Sequence, residues 1–307
     1  MTDIEWQQQI PDFLWCDPEV IGQSYTSALA GEEITVHLPG EPAVADGAYL
    51  TQPAPILGKV HHEDQAIWGI LRRDSVEPEL VAIVRRIAFT AAVADPDVVG
   101  REMDKWEQRL TSWLDILTGQ HLTAVGHRPP RQFENRTSMF ERRADGTVKP
   151  RFTPRSFGSI YSLKQGLATQ EILGKAFELA GSGTSVPLPW LLIRDARALH
   201  RVTHTRRAVI ECGSAAEMAI VKLLKADKIP IPSLPTLGKT FSLLTKHRRG
   251  IVSSGNRNEF VKVRNREVHM TAGSGYVSEA ESSRILDIAS LLVEEAFPMP
   301  SGLKKLW

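Results

Sequence analysis

The run Val261-Lys-Val-Arg-Asn-Arg-Glu-Val-His-Met270 brings together three side-chain types that suit work on a phosphodiester. Arginine is a planar, permanently charged donor that matches phosphate oxygens. Histidine exchanges a proton near neutral pH. Asparagine donates and accepts, and so can hold an imidazole or a phosphate in place. At about 100° per residue, a helix through this run puts Asn265 and His269 on one face with Arg264 on its flank. Arg264, His269 and Asn265 are therefore the candidate catalytic residues. Lys262, Arg266 and Arg257 are candidate contacts to a polyanion. The competing interpretation is a surface helix that happens to be basic.

Other motifs carry less. Gly238-Lys239-Thr240 has the ending of a phosphate-binding P-loop, but the position five before Gly238 is Ser233 rather than glycine. Backbone amides there cannot wrap a phosphate in the usual way, and the P-loop interpretation is rejected. His200 and His204 stand four apart on a helical stretch. Arg201 occupies the place where a zincin has glutamate, and no third ligand is evident among the nearby arginines, so no metal is expected. His61-His62 lies in a loop, and adjacent residues point apart. No Gly-x-Ser-x-Gly elbow is present, and Cys212 falls on an apolar helix, as a structural thiol would.

The elements that must position the 261–270 run follow from charge and periodicity. Residues 1–185 hold 18 Lys/Arg against 25 Asp/Glu, and residues 186–307 hold 19 against 11. Between 201 and 269 the count is 14 basic to 5 acidic, which places any polyanionic partner on the C-terminal part. In the acidic part, 34–95 contains short β-prone runs broken by proline and glycine. From Val98 to Leu122, Met103, Trp106, Leu110, Trp113, Leu114 and Leu117 form one helical stripe. Residues 137–152 carry a hairpin signal, with Asp145-Gly146 supplying the turn.

Gly181-Ser-Gly-Thr-Ser185 and the prolines after it mark a boundary or long loop. Beyond it the chain predicts helices: about 190–201, then 205–226 with Val209, Gly213, Ala216, Ile220 and Leu223 on one face. A short helix through Leu237, Phe241 and Leu244 and another at 257–270 follow. The last opens at Ser278 with Glu281 three residues on, a capping box, and stops at Pro298. The expected fold class is α+β: a mixed N-terminal region, 1–185, followed by a small all-α bundle, 186–307.

Composition narrows the classes further. The chain has 307 residues, 42% apolar and 24% charged, with a net charge of +1. Two cysteines, Cys16 and Cys212, cannot make a disulfide framework, which suits a reducing compartment. No run of about eighteen apolar residues argues for a membrane span. The acidic start lacks a secretory pattern, and the expected location is cytoplasmic.

Arg264-Asn265-x-x-x-His269 resembles the Arg-x(4–6)-His motif of HEPN proteins, in which a polar residue often follows the arginine. The order of elements is similar too, with the motif on a late helix and one final amphipathic helix after it. Leu191-Leu-Ile-Arg-Asp-Ala-Arg197 and Arg206-Arg-Ala-Val-Ile-Glu-Cys-Gly-Ser-Ala-Ala-Glu217 look like the opening helices of Apea-like bacterial HEPN sequences. The resemblance covers about residues 188–297 and leaves the first half unassigned.

What the resemblance implies is a metal-independent endoribonuclease without a cofactor, acting on RNA such as tRNA or mRNA. His269 is then the general acid–base, Arg264 stabilises the phosphorane and Asn265 orients one of them. Lys262, Arg266 and Arg257 become RNA-binding residues, and Glu211, Ser214 and Glu217 on the preceding helix become supporting ones. Family members usually pair their bundles, which implies a homodimer. The setting implied is antiphage defence by abortive infection, with a phage-derived trigger, or a toxin with its antitoxin. The alternative is a HEPN fold used for assembly or nucleic-acid binding without cleavage. The acidic first half would then be a sensor, a specificity module or a brake.

Overall fold

The computed structural model describes residues 1–42, 49–57, 68–73, 80–122, 139–142, 148–152, 166–248, 250–269, 276–300, 303–305 and 307, with the backbone alone described at 11–12, 139–142, 148–152 and 269. In chain order the strands are β1 (Thr2–Cys16), β2 (Ser24–Leu29), β3 (Glu32–His37), β4 (Gly69–Arg73), β5 (Leu80–Val93), β6 (Met139–Arg142) and β7 (Val148–Phe152). The helices are α1 (Pro96–Thr118), α2 (Gln170–Gly181), α3 (Leu188–Arg201), α4 (Thr205–Ala226), α5 (Leu237–His247), α6 (Ser254–His269) and α7 (Glu279–Ala296). The fold class is α+β, as the sequence predicts.

The apolar run of β5 makes it the spine of the main antiparallel sheet. β1 lies along one edge of it, while β4 and β3 share the other, pairing with residues 80–84 and 88–90 respectively. β2 completes the sheet by a hairpin with β3. The β1 register shifts between Gln9 and Leu14, across Pro11, which has no N–H to give to a ladder. β6 and β7 pair with each other at the predicted hairpin. The Asp145-Gly146 turn itself lies outside the described residues.

One face of the sheet buries aromatic rings against α1 and α2. Trp6 stacks on Phe89 with centroids 4.7 Å apart, Trp106 meets Phe89 edge-on at 5.3 Å, and Phe177 stacks on Trp106 at 6.0 Å. Edge-to-face and offset arrangements of this kind satisfy the ring quadrupoles as well as burying area. α1 starts where Asp95 accepts from the N–H of Asp97 with Pro96 at the first turn, and it stops at Gly119, whose φ of 75° suits glycine. α2 crosses β2 so closely that a Cβ at Gly181 would stand 2.5 Å from the Ala28 nitrogen.

The remaining helices pack around α4, which has α3, α5, α6 and α7 as neighbours. Its predicted inner face, Val209, Gly213, Ala216, Ile220 and Leu223, is buried. The capping box of α7 is present in full: Ser278 accepts from the Glu281 N–H, and Glu281 accepts from the Ser278 N–H. The buried core runs without a break from Ile10 in β1 to Ala296 in α7. The 185/186 boundary falls in the link between α2 and α3, where Phe177, Val186 and Trp190 all belong to that one core. Among the described residues no helix is long and apolar enough to cross a membrane.

Candidate active site

α6 holds the motif. Its first turn is fastened by Ser253, whose hydroxyl accepts from the Asn256 N–H and whose carbonyl accepts from the Arg257 N–H. Phe260 and Val263 are buried, and Phe260 meets Phe241 of α5 edge-on at 5.7 Å. Those anchors set the rotation of the helix, and the rotation turns Arg264 toward α4.

α4 makes room for it at Gly213. A Cβ there would lie 2.9 Å from Arg264 Cγ and 3.2 Å from its Nε, so any larger residue forces the arginine stem aside. One turn further along α4, Glu217 receives the guanidinium: Arg264 Nη2 donates to Glu217 Oε1 at 2.9 Å. Nη1 reaches Asn265 Oδ1 at 3.4 Å, a long contact, and among the described residues the buried Nε has no partner. Both candidate carriers of the motif's first half, Arg264 and Asn265, are thus held together. His269 is the last residue of α6, and its Cα stands one turn beyond that of Asn265. The His269 side chain lies outside the described residues.

Of the three supporting residues, Glu217 alone joins Arg264. Ser214 donates to the Ile210 carbonyl of its own helix at 3.3 Å. Glu211 faces Asp195 on α3: burial and that second carboxylate push its carboxyl up, with Arg207 opposing.

Of the four Lys and Arg side chains of α6, Arg264 and Arg266 are paired with carboxylates. Arg266 donates to Glu267 at 2.9 Å and to both oxygens of Glu281 at 3.2 and 3.3 Å, which ties α6 to the capping box of α7. Arg257 donates to Asn258 Oδ1 through Nε and Nη2 and lies 3.4 Å from Thr245 Oγ1. Lys262 is exposed. Glu267 is only 7% exposed, and Arg206 of α4 donates to its carbonyl at 3.1 Å. Sequence reasoning missed Gly213 and Arg206. The small-residue run Gly213-Ser-Ala-Ala216 was the available signal for a close helix approach.

The rejected motifs also have definite places. Gly238-Lys239-Thr240 forms the first turn of α5, where Thr240 donates to the Thr236 and Leu237 carbonyls. His200 Nδ1 is 3.0 Å from Ser282 Oγ, and His204 sits at the start of α4. Cys212 is fully buried, and burial raises its thiol far above its ordinary value. Among the described residues no group of three or more His, Cys, Asp or Glu is gathered as a metal would need. In comparisons with known proteins the sequence matches no family model, and no curated protein or solved structure shows significant similarity to it.

Proposed function

We propose that this protein is a metal-independent endoribonuclease of the HEPN type, cleaving RNA by attack of a 2′-hydroxyl on the adjacent phosphorus. The observation that carries the proposal is Arg264, set against Gly213, gripped by Glu217 and standing five residues before His269 on one helix. The glycine lets the Arg264 stem pass close against α4 and reach Glu217.

In the reaction the 2′-oxygen forms a bond to phosphorus as the P–O5′ bond breaks. His269 takes the 2′-hydroxyl proton or supplies the proton that the 5′-oxygen requires. Arg264 donates to the non-bridging oxygens, where charge builds up. Glu217 and Asn265 keep the guanidinium plane in register. One helix supplies one acid–base group, and a homodimer facing two motifs across one cleft supplies the second. The products are a 2′,3′-cyclic phosphate and a 5′-hydroxyl. In the cell such an activity serves abortive infection or acts as a toxin.

The Arg264–Glu217 pair also favours a second reading, a HEPN module that assembles or binds nucleic acid without cutting it, because the pair cancels the charge a phosphate would seek. One experiment separates the two. Purified protein is incubated with end-labelled RNA, with EDTA, and with RNA carrying a 2′-deoxy sugar at the mapped cleavage site. The nuclease cuts RNA in EDTA and leaves the 2′-deoxy position intact. His269→Ala and Arg264→Ala each reduce the rate by about a hundred- to ten-thousand-fold. Unchanged cutting in either variant, or cutting at the 2′-deoxy position, overturns the proposal.

A further inference from the structure

Away from α6, the C-terminal end of α1 meets a row of arginines on α3. Arg194, Arg197 and Arg201 are spaced three and four apart, which sets them on one helix face. Arg194 and Arg197 are 6% and 8% exposed. A buried guanidinium stays charged, so each one requires an acceptor.

Two of the three have one. Arg194 Nε donates to Asp195 at 2.9 Å, and its Nη1 is 4.0 Å from Asp115. Arg201 Nη1 reaches the Gly119 carbonyl at 3.4 Å. Asp115, a buried carboxylate of the cluster, also accepts from the Leu122 N–H. Arg197 is different. Its guanidinium lies under the Trp307 ring, 3.6 Å from the centroid, and against Gly119, where a Cβ would stand 2.8 Å from Nη2 and 2.9 Å from Nη1. Among the described residues no carboxylate, carbonyl or hydroxyl accepts from it.

His121, two residues beyond the Gly119 that Arg197 lies against, is 8% exposed, with φ at 53° and, among the described residues, no partner for its buried Nε2. Burial and the positive field of Arg201, Arg197 and Arg194 keep that imidazole neutral. Burial and Arg201 likewise lower the Arg197 guanidinium to about 9, with Asp115 opposing. Arg197 and, two residues past its Gly119 neighbour, His121 are thus both more than nine-tenths buried, with no acceptor supplied by the described residues.

We propose that Arg197 and His121 form an anion site for a phosphate group, at the junction of α1 and α3. The guanidinium fork matches two phosphate oxygens, and the imidazole Nε2–H tautomer donates to a third. Free inorganic phosphate and the phosphate of a mononucleotide share that chemistry. The site is separate from Arg264 and does not depend on the cleavage reaction.

The test is calorimetric titration of the full-length protein with inorganic phosphate, and separately with a nucleoside 5′-monophosphate, at constant ionic strength set by chloride. The expected result is one saturable site in wild type, with affinity reduced at least about tenfold in Arg197→Met. His121→Asn, a residue that tolerates positive φ, weakens the same site to a smaller extent. Binding of the monophosphate alone identifies the mononucleotide as the source, and equal binding of both identifies phosphate itself. No heat beyond chloride in wild type overturns the proposal, whether or not the variants fold. Equal binding by wild type and Arg197→Met also overturns it. In either case Arg197 serves only as a cationic partner for the carbonyl end of α1.

Discussion

Arg264 of α6 and Glu217 of α4 are joined by a 2.9 Å hydrogen-bonded ion pair, and that pair fixes where the motif's guanidinium points. Its side chains remain 21% and 38% exposed, so the pair contributes no more than about 1 kcal/mol to stability. Its importance is directional. Glu217→Ala is expected to reduce RNA cleavage about tenfold through kcat, with unfolding free energy changed by about 0.5 kcal/mol or less. Glu217→Gln retains an acceptor oxygen and is expected to restore most of the rate. Single-turnover kinetics beside urea unfolding checks both. A loss confined to stability would make Glu217 structural only.

Gly213 gives a sharper test of the same contact. In a helix interior alanine is better than glycine by about 1 kcal/mol. Gly213→Ala in an Arg264→Ala background is therefore expected to stabilise the protein by about that amount. In wild type the new Cβ must displace the Arg264 stem from 2.9 Å, and the gain is expected to vanish or reverse. Unfolding free energies of the four proteins form a double-mutant cycle, and a cycle showing additivity would remove Gly213 from the site.

Glu211 shows how pH separates a half-buried acid from a catalytic one. Burial and Asp195 raise its carboxyl above the ordinary value of 4.5, so the fold favours the protonated form. That stability is fully present below the ordinary value and is lost as pH rises through the raised one. Glu211→Gln is thus expected to melt above wild type at pH 7, with the difference closing below about pH 4.5, and to cleave at the wild-type rate. Melting curves from pH 4 to 8 show the sign directly.

Arg266 and Lys262 lie four apart on α6 but are expected to behave differently. Arg266 is committed to Glu267 and Glu281, and Arg266→Ala should cost about 1 to 3 kcal/mol of stability. Lys262 is exposed, and Lys262→Ala should leave stability unchanged while lowering the salt dependence of RNA binding by about one unit of slope. Filter binding over a series of salt concentrations, set beside denaturation curves, distinguishes the two.

Most of the helices were legible because their signals are local. The period of buried positions defines α1, α4 and α7, and caps mark their ends: Asp95 and Gly119 for α1, Ser278 with Glu281 for α7. β1 escaped notice because an edge strand has one half-solvated face, and its glutamines dilute the alternation of Ile4, Trp6 and Ile10. α2 was hidden for a related reason. The glycines at 181 and 183 pointed to a loop, whereas Gly181 is the end of a helix pressed against β2.

The sequence by itself determined which residue types stand five apart on α6, and that those residues share a helix. Local periodicity suffices for that, since i to i+4 neighbours follow from backbone geometry alone. Which of the three polar candidates on α4 would meet Arg264 was a tertiary decision. Glu211, Ser214 and Glu217 look alike in one dimension, but the rotation of α4 about its buried face turns Glu211 toward Asp195 and Glu217 toward Arg264, while Ser214 bonds back to Ile210 of its own helix. The net positive count of residues 201–269 was equally ambiguous in one dimension. Only packing brought Glu217 against Arg264 and Glu281 against Arg266, because opposite charges from distant segments pair where helices cross, and no composition count contains those crossings.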